Sequence, residues 1–232
     1  MIMSKLPVSE EYLETVAENI FGPIRFHDCS TCLFVAGGGK RTIVQAILHT
    51  PSLLEKILGS TLETKLLINI NPDELLELSS QGYLDIICNC IKREAKKKKS
   101  VVPAKASGTV LENIKDLTRL FIGQGYSLVY ILHDFDKTLS MSQSIYLNLE
   151  SIMGVNKSKV TFLFLSSSNL LAPERLGVFD NLKYAITQHV SYYPLLPDKE
   201  IEYVLGQFCG DVSVHEKTIA ILRTVAGGHP SY

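Results

Sequence analysis

Between Thr31 and Leu48 the chain reads Thr-Cys-Leu-Phe-Val-Ala-Gly-Gly-Gly-Lys-Arg-Thr-Ile-Val-Gln-Ala-Ile-Leu, and this stretch restricts the fold more than any other. A short apolar run, Cys32 to Val35, leads into three consecutive glycines, two cations, and then Ile43, Ala46 and Ile47 at helical spacing. The pattern predicts strand, loop, helix. Glycines allow backbone conformations closed to other residues and let the chain approach a ligand closely. The helix start that follows offers free N–H groups at the positive end of a dipole. Such a loop suits an anion, above all the phosphates of a nucleotide, with Gly37, Gly38, Gly39, Lys40, Arg41 and Thr42 as the candidate binding residues.

The stretch meets the phosphate-loop motif G-x-x-x-x-G-K-[ST] in two registers, neither complete. With Arg41-Thr42 over the terminal pair, the window from Val35 has the right length but places Val35 and Lys40 where the motif has glycine. With Lys40 over the motif lysine, Gly39 precedes it correctly, but Arg41 takes the place of the metal-binding hydroxyl and the loop is short. A degenerate phosphate loop and a plain tight turn are the two readings of these residues.

Composition narrows the field. With 46% apolar and 20% charged residues, the 232-residue chain has the make-up of a folded protein with one good core. A net charge of -1 supplies no global field toward nucleic acid or a membrane surface. The first residues, Met-Ile-Met-Ser-Lys-Leu-Pro, lack the apolar core of a signal peptide, and no apolar run approaches a membrane span. A cytoplasmic protein with no membrane partner is the expectation. Five cysteines, scattered and odd in number, do not form a disulfide framework. Cys29 and Cys32 have C-x-x-C spacing, but no second pair completes a zinc site, so buried free thiols are expected.

Taken in order, residues 7–28 form a lead-in helix and entry loop, and Thr31 to Val35 the first strand. Helices from Lys40 to His49 and Leu53 to Leu58 precede a second strand, Lys65 to Ile70. Asn71-Pro72-Asp73 caps a long helix to about Ile91, and the basic run Lys92 to Lys99 opens a disordered excursion that continues to Gly108. A helix over 109–122 leads to strand Ser127 to Leu132, which runs into His133-Asp134-Phe135-Asp136-Lys137. Helix 141–152, strand Lys159 to Leu165, and a strand within Tyr184 to Tyr193 follow, with two closing helices, Asp198 to Phe208 and Val214 to Val225. Alternating strands and helices imply an α/β fold with a parallel sheet, in which ligands bind at the carboxyl ends of the strands. The glycine loop, the acidic cluster and Asn169 all fall at such ends.

An apolar strand ending in acidic residues after a phosphate loop is the Walker B arrangement. Here the chain resembles the P-loop ATPases of the AAA+ and STAND group, in particular the initiator-like ATPases of the origin-recognition type. Leu128 to Lys137 resembles that group's apolar run followed by Asp-Glu-Phe-Asp. Phe162 to Leu170 resembles its sensor strand, with Asn169 as the polar residue that reads the γ-phosphate. Tyr192 to Ile201 resembles the link into a helical lid, and Gly227-Gly-His-Pro230 the Gly-Gly-x-Pro of STAND-type lids. The resemblance implies a three-layer P-loop NTPase-like parallel five-stranded sheet with the start of a helical lid. It divides the chain into a nucleotide-binding α/β domain, residues 1–195, and a partial lid, residues 196–232.

The resemblance further implies ATP and Mg²⁺ as cofactors, phosphates on Lys40 and Arg41, the metal on Thr42 and Asp134, and Asp134 as the catalytic residue. The departures are specific. His133 stands at the position of the metal-binding aspartate and Asp134 at that of the catalytic glutamate, and an imidazole is a poor ligand for a hard cation. The expected arginine-finger position falls near Ala185, with Lys183 the nearest cation, while Arg223 is a candidate second sensor or a surface arginine. Binding draws on many groups, whereas hydrolysis needs accurate placement of metal and water. The leading expectation is therefore a nucleotide-binding regulatory switch or assembly module with weak or no ATPase activity. The alternatives are a nucleotide-free interaction scaffold and an active ATPase using Asp134 and Asp136. Protein partners, a homo-oligomer, and DNA reached through a missing C-terminal domain or through Lys92 to Lys99 are the open readings, with a solvated loop as the default for that basic run.

Overall fold

Two strands that the sequence makes apolar at every position, or nearly so, form the middle of a five-stranded parallel sheet. The structure is a computed structural model and describes residues 8–35, 39–75, 78–98, 108–193, 196–209 and 217–221. The elements are α1 (Glu10–Phe21), β1 (Ser30–Leu33), α2 (Lys40–Leu48), α3 (Pro51–Leu58), β2 (Lys65–Ile70), α4 (Ser80–Lys97), α5 (Val110–Gly123) and β3 (Ser127–Leu132). They continue with α6 (Ser144–Met153), β4 (Val160–Ser166), α7 (Pro173–Leu176), α8 (Lys183–Thr187), β5 (Val190–Tyr192) and α9 (Asp198–Cys209). The strand order is β2-β3-β4-β1-β5, with every neighbouring pair parallel.

Every residue of β3 and β4 is buried, because helices cover both faces of the sheet. Side chains alternate between two cores with the period of a strand. Leu128, Tyr130 and Leu132 pack with α4, α5 and α6 on one face. Val129 and Ile131 pack on the other with α1, α2 and α3. The three-layer α/β sandwich expected from the sequence is thus the observed one. Among the described residues no helix is long and apolar enough to cross a membrane.

The structure sharpens one expected element and differs from two. First, the fifth strand expected within Tyr184 to Tyr193 is Val190–Tyr192, and Lys183–Thr187 ahead of it is helical. Leu182, Ala185 and Ile186 are buried at i, i+3, i+4 spacing, so tertiary burial overrides the β preference of this segment. Second, Asn71 caps a short 3₁₀ turn, Pro72–Glu74, and α4 begins only at Ser80, where the Ser79 hydroxyl accepts from Gly82 N at 3.1 Å. Third, α4 extends to Lys97 because Tyr83, Ile87, Ile91 and Ala95 continue its buried face four residues apart. Lys92 to Lys97 is therefore helix, not an excursion, and Lys96 and Lys97 sit favourably at the negative end of its dipole.

Cys29 and Cys32 are buried free thiols facing opposite cores, as two strand-like positions three apart must be, and burial raises both thiol pKa values, that of Cys32 to about 11. Gly37, Gly38, Lys99 to Ser107, Arg223 and Gly227 to Pro230 lie outside the described residues, and of the helix expected at Val214 to Val225 only 217–221 is described, as helix.

At the carboxyl side of the sheet, α9 is tied back to α1. Glu200, although only 3% exposed, accepts from Ser9 N at 2.9 Å and from Ser9 Oγ at 2.5 Å, while Ser9 Oγ itself accepts from Tyr12 N at 3.2 Å as the α1 cap. Leu196, Ile201 and Ile219 complete the same core.

Candidate functional site

The strand order places a reversal beside β1. From β1 the chain crosses over β4 and β3 to reach β2, whereas β2, β3, β4 and β5 succeed one another in the opposite direction. In open parallel sheets the crevice at such a switch point, outside the carboxyl ends of the strands, is where ligands bind. Four loops meet there: those after β1, β2, β3 and β4.

After β1, Gly39 precedes α2 with φ 70°, a left-handed conformation that glycine takes without strain. Its carbonyl accepts from Ile43 N at 3.0 Å and so starts the helix. Ile43, Val44 and Ile47 bury one face of α2 in the core and fix its direction. Lys40, the first helical residue, is carried with them and is only 9% exposed. A lysine this enclosed needs partners. Its Nζ forms an ion pair with Asp134 Oδ1 and donates to Ser167 Oγ at 2.9 Å. Arg41, on the solvent side, pairs with Asp73, donates to Asn71 Oδ1 at 3.1 Å and lies 3.7 Å from Asp134 Oδ2. Thr42 is exposed on the same turn.

After β3, His133 N continues the ladder to Ile70 O at 3.0 Å, and Asp134 then turns the chain in the left-handed region, φ 48° and ψ 43°. Aspartate is one of the few side chains that tolerates this region. The turn aims its carboxylate at Lys40 and starts the 3₁₀ segment Phe135–Ser140. Phe135 anchors the turn from below, with its ring 4.8 Å from that of Phe164 and 5.9 Å from that of Phe179. Lys137, one turn on, pairs with Asp73 and lies 3.9 Å from Asp134 Oδ2. Asp136 points the other way and accepts from Ser167 N at 3.3 Å and Ser168 Oγ at 3.1 Å, fixing the loop after β4.

His133 is bonded to Asn69 rather than to the charged groups that surround Asp134. Its ring is 1% exposed, with Nε2 2.5 Å from Asn69 Oδ1 on β2 and Nδ1 buried without a hydrogen-bond partner. Since a carboxamide oxygen only accepts, Nε2 carries the proton. Burial drives its pKa down to about 4; Asp134 opposes that shift, and Lys40 and Arg41 reinforce it. Asp73 moves down to about 2, because Lys137 and Arg41 both hydrogen-bond its carboxylate. The same bond raises the Arg41 guanidinium.

The structure thus brings Lys40, Arg41 and Asp134 together. Asn169 is exposed, its Oδ1 accepting from Leu171 N at 3.0 Å in a local turn, and the side chain that meets Lys40 from the β4 loop is Ser167. Asp73, Asn71, Lys137 and Ser167 were missed by sequence reasoning. The signal available for the first two was the polar Asn71-Pro72-Asp73 directly after an apolar strand. For Ser167 it was the serine run that ends β4.

Mg²⁺ was expected on Thr42 and Asp134, and the donor set does not fit it. Mg²⁺ on a nucleotide takes one or two protein oxygens beside waters and phosphates, so those oxygens must be free to turn to it. Asp134 has one oxygen on Lys40 and the other facing Arg41 and Lys137, and the neighbouring His133 is neutral, buried and committed to Asn69.

No protein-family model matches the chain, and no curated protein matches its sequence. Solved structures do. The ORC1 protein of Aeropyrum pernix, in complex with DNA, superposes with a TM-score of 0.58 at 14% identity, covering 94% of this chain and 54% of its own. The ORC2 protein of the same organism, in its ADPNP-ADP complexes, gives 0.55 at 16% identity over 85% of this chain and 50% of its own. Cdc6p of Pyrobaculum aerophilum gives 0.53 at 14% identity over 97% and 56%. The chain spans about half the length of the solved structures that it matches. Parallel sheet, switch-point crevice and these superpositions agree: the chain has the α/β fold of the Aeropyrum pernix ORC proteins and Pyrobaculum aerophilum Cdc6p.

Proposed function

We propose that the chain is a nucleotide-binding AAA+/STAND-like domain that serves as a regulatory switch or assembly module and hydrolyses ATP weakly or not at all. The observation that carries this reading is the convergence of Lys40, Arg41 and Asp134, from the loops after β1 and β3, at the switch point of the sheet. Lys40 and Arg41 are the phosphate-binding cations, together with the backbone N–H groups of the α2 start. The solved ORC2 structures carry ADPNP and ADP, which agrees with a nucleotide in this crevice. On this reading, residues 1–195 are the nucleotide-binding domain, and α9, clasped to α1 through Glu200 and Ser9, opens the helical lid of residues 196–232.

Weak turnover follows from the acidic site. Hydrolysis needs an attacking water oriented by a free carboxylate, and oriented positioning is worth roughly 7–11 kcal/mol of barrier. Asp134 is held by Lys40, and Asp136 by the serines of the β4 loop. DNA, present in the solved ORC1 structure, is not assigned to the basic run here. Lys97 pairs with Glu94 at 2.6 Å, and Lys98 lies 5.7 Å over the Tyr126 ring, just before β3 and so at the opposite end of the sheet from the crevice.

The test is thermal unfolding with and without ATP, run beside a phosphate-release assay. A ligand that binds only the folded state raises the midpoint by mass action. We expect a rise in the midpoint with ATP and negligible phosphate release. No rise at millimolar ATP would leave the fold as a nucleotide-free scaffold, and brisk release would make it an active ATPase.

A further inference from the structure

Two carboxylates in the crevice, Asp73 and Asp134, are bridged twice, and both bridges are side-chain cations. Arg41 reaches from Asp73 Oδ2 toward Asp134 Oδ2 at 3.7 Å, and Lys137 reaches from Asp73 Oδ1 toward the same Asp134 oxygen at 3.9 Å. Lys40 holds the remaining oxygen of Asp134. This is the connectivity that a divalent ion gives to an acidic pair, made here from ammonium and guanidinium groups. We propose that Lys137 and Arg41 take the place of the divalent cation, so that this crevice binds a nucleoside polyphosphate without metal.

The charges support the exchange. Lys40, Arg41 and Lys137 contribute three positive charges against the two of Asp73 and Asp134, while His133 is neutral and Asp136 is turned to the β4 loop. A divalent ion added to this cluster, whose net charge is already positive, would be repelled unless one of the cations left. A polyphosphate meets the same cations as partners and displaces the carboxylates one for one, with charge-assisted hydrogen bonds replacing ion pairs. Arg41 and Lys137 are 49% and 40% exposed, so both are open to an anion arriving from solvent. Lysine suits the task because its charge is compact and its stem flexible.

The inference rests on the nucleotide-binding reading above, and the experiment separates the two. The full chain is titrated with a fluorescent ATP analogue, once in excess EDTA and once in millimolar MgCl₂, for wild type, Lys137→Ala and Lys137→Arg. We expect similar affinity in both buffers. Lys137→Ala should weaken binding in EDTA on the order of tenfold, the worth of one charge-assisted contact, and Lys137→Arg should retain it. Lys137 is a surface side chain, and an unchanged melting midpoint in each variant excludes misfolding as the cause. Binding that demands Mg²⁺, or a Lys137→Ala variant that binds in EDTA as wild type does, would overturn the proposal and leave nucleotide binding standing. No binding in either buffer would overturn both.

Discussion

Lys40 Nζ donates to Ser167 Oγ across 2.9 Å, joining the first residue of α2 to the loop that leaves β4. The two residues are far apart in sequence and meet only because β1 and β4 are neighbours in the sheet. Ser167 is held in place by Asp136, which accepts from its backbone N–H. Lys40, Asp134, Ser167 and Asp136 thus form one connected polar chain across the carboxyl ends of three strands.

We expect this connection to show in nucleotide affinity. Ser167→Ala removes the hydroxyl that orients Lys40 and should weaken binding of a fluorescent ATP analogue about threefold to tenfold, the range of one modest hydrogen bond. Asn169→Ala, which touches only its own turn, should change it less. The reverse order of the two effects would place the sensing role at Asn169.

The buried His133 sets a pH dependence. Its folded-state pKa of about 4 lies below the ordinary value of 6.5. As pH falls through this interval, the unfolded chain takes up a proton that the folded chain refuses, so stability declines from about pH 6.5 to about pH 4 and levels off below. The full loss is about 3 kcal/mol, taking 1.36 kcal/mol per unit. Asp73 acts in a lower window, where its ion pairs weaken as pH drops from ordinary carboxylate values toward about 2. Urea midpoints at neutral pH and near pH 4.5 should differ in wild type, and the difference should shrink in His133→Asn.

Glu200 is a structural clasp. It is buried and receives both the backbone N–H and the hydroxyl of Ser9, so Glu200→Ala leaves α1 without its anionic partner. We expect a loss of about 1–3 kcal/mol in equilibrium unfolding. Glu200→Gln keeps an acceptor and should lose less. Equal losses would mean that charge, rather than hydrogen bonding, carries the clasp.

Within the core, Tyr130 OH lies 2.8 Å from Thr118 Oγ1, which also donates to Ile114 O at 2.7 Å. Tyr130→Phe should cost only about 1 kcal/mol, since the threonine keeps a partner. Phe135→Ala removes a ring packed among Phe164, Tyr146 and Phe179 directly beneath the Asp134 turn, and should cost about 3–5 kcal/mol.

What could be read from the chain alone follows from range. Strands β2 and β3 are legible to the residue, because runs such as Lys65 to Ile70 and Ser127 to Leu132 are apolar nearly throughout. Lys40, Arg41 and Asp134 are legible as local patterns at strand ends. Asp73, Lys137 and Ser167 are not, because their roles depend on which strand ends are adjacent, and the order β2-β3-β4-β1-β5 is a tertiary fact. The short helix Lys183–Thr187 ahead of the fifth strand has the same origin: the burial of Leu182, Ala185 and Ile186 against the sheet overrides local preference. His133 could be placed at a strand end, but its neutrality and its bond to Asn69 required the register of β2 against β3.

The most direct measurement is equilibrium titration of a fluorescent ATP analogue into the wild-type chain and into the Lys40→Ala/Arg41→Ala double variant. We expect saturable binding by wild type and a loss of at least about a hundredfold in the double variant, two charge-assisted contacts together. Equal binding by both proteins, or none by wild type at millimolar nucleotide, would contradict a phosphate site at the start of α2.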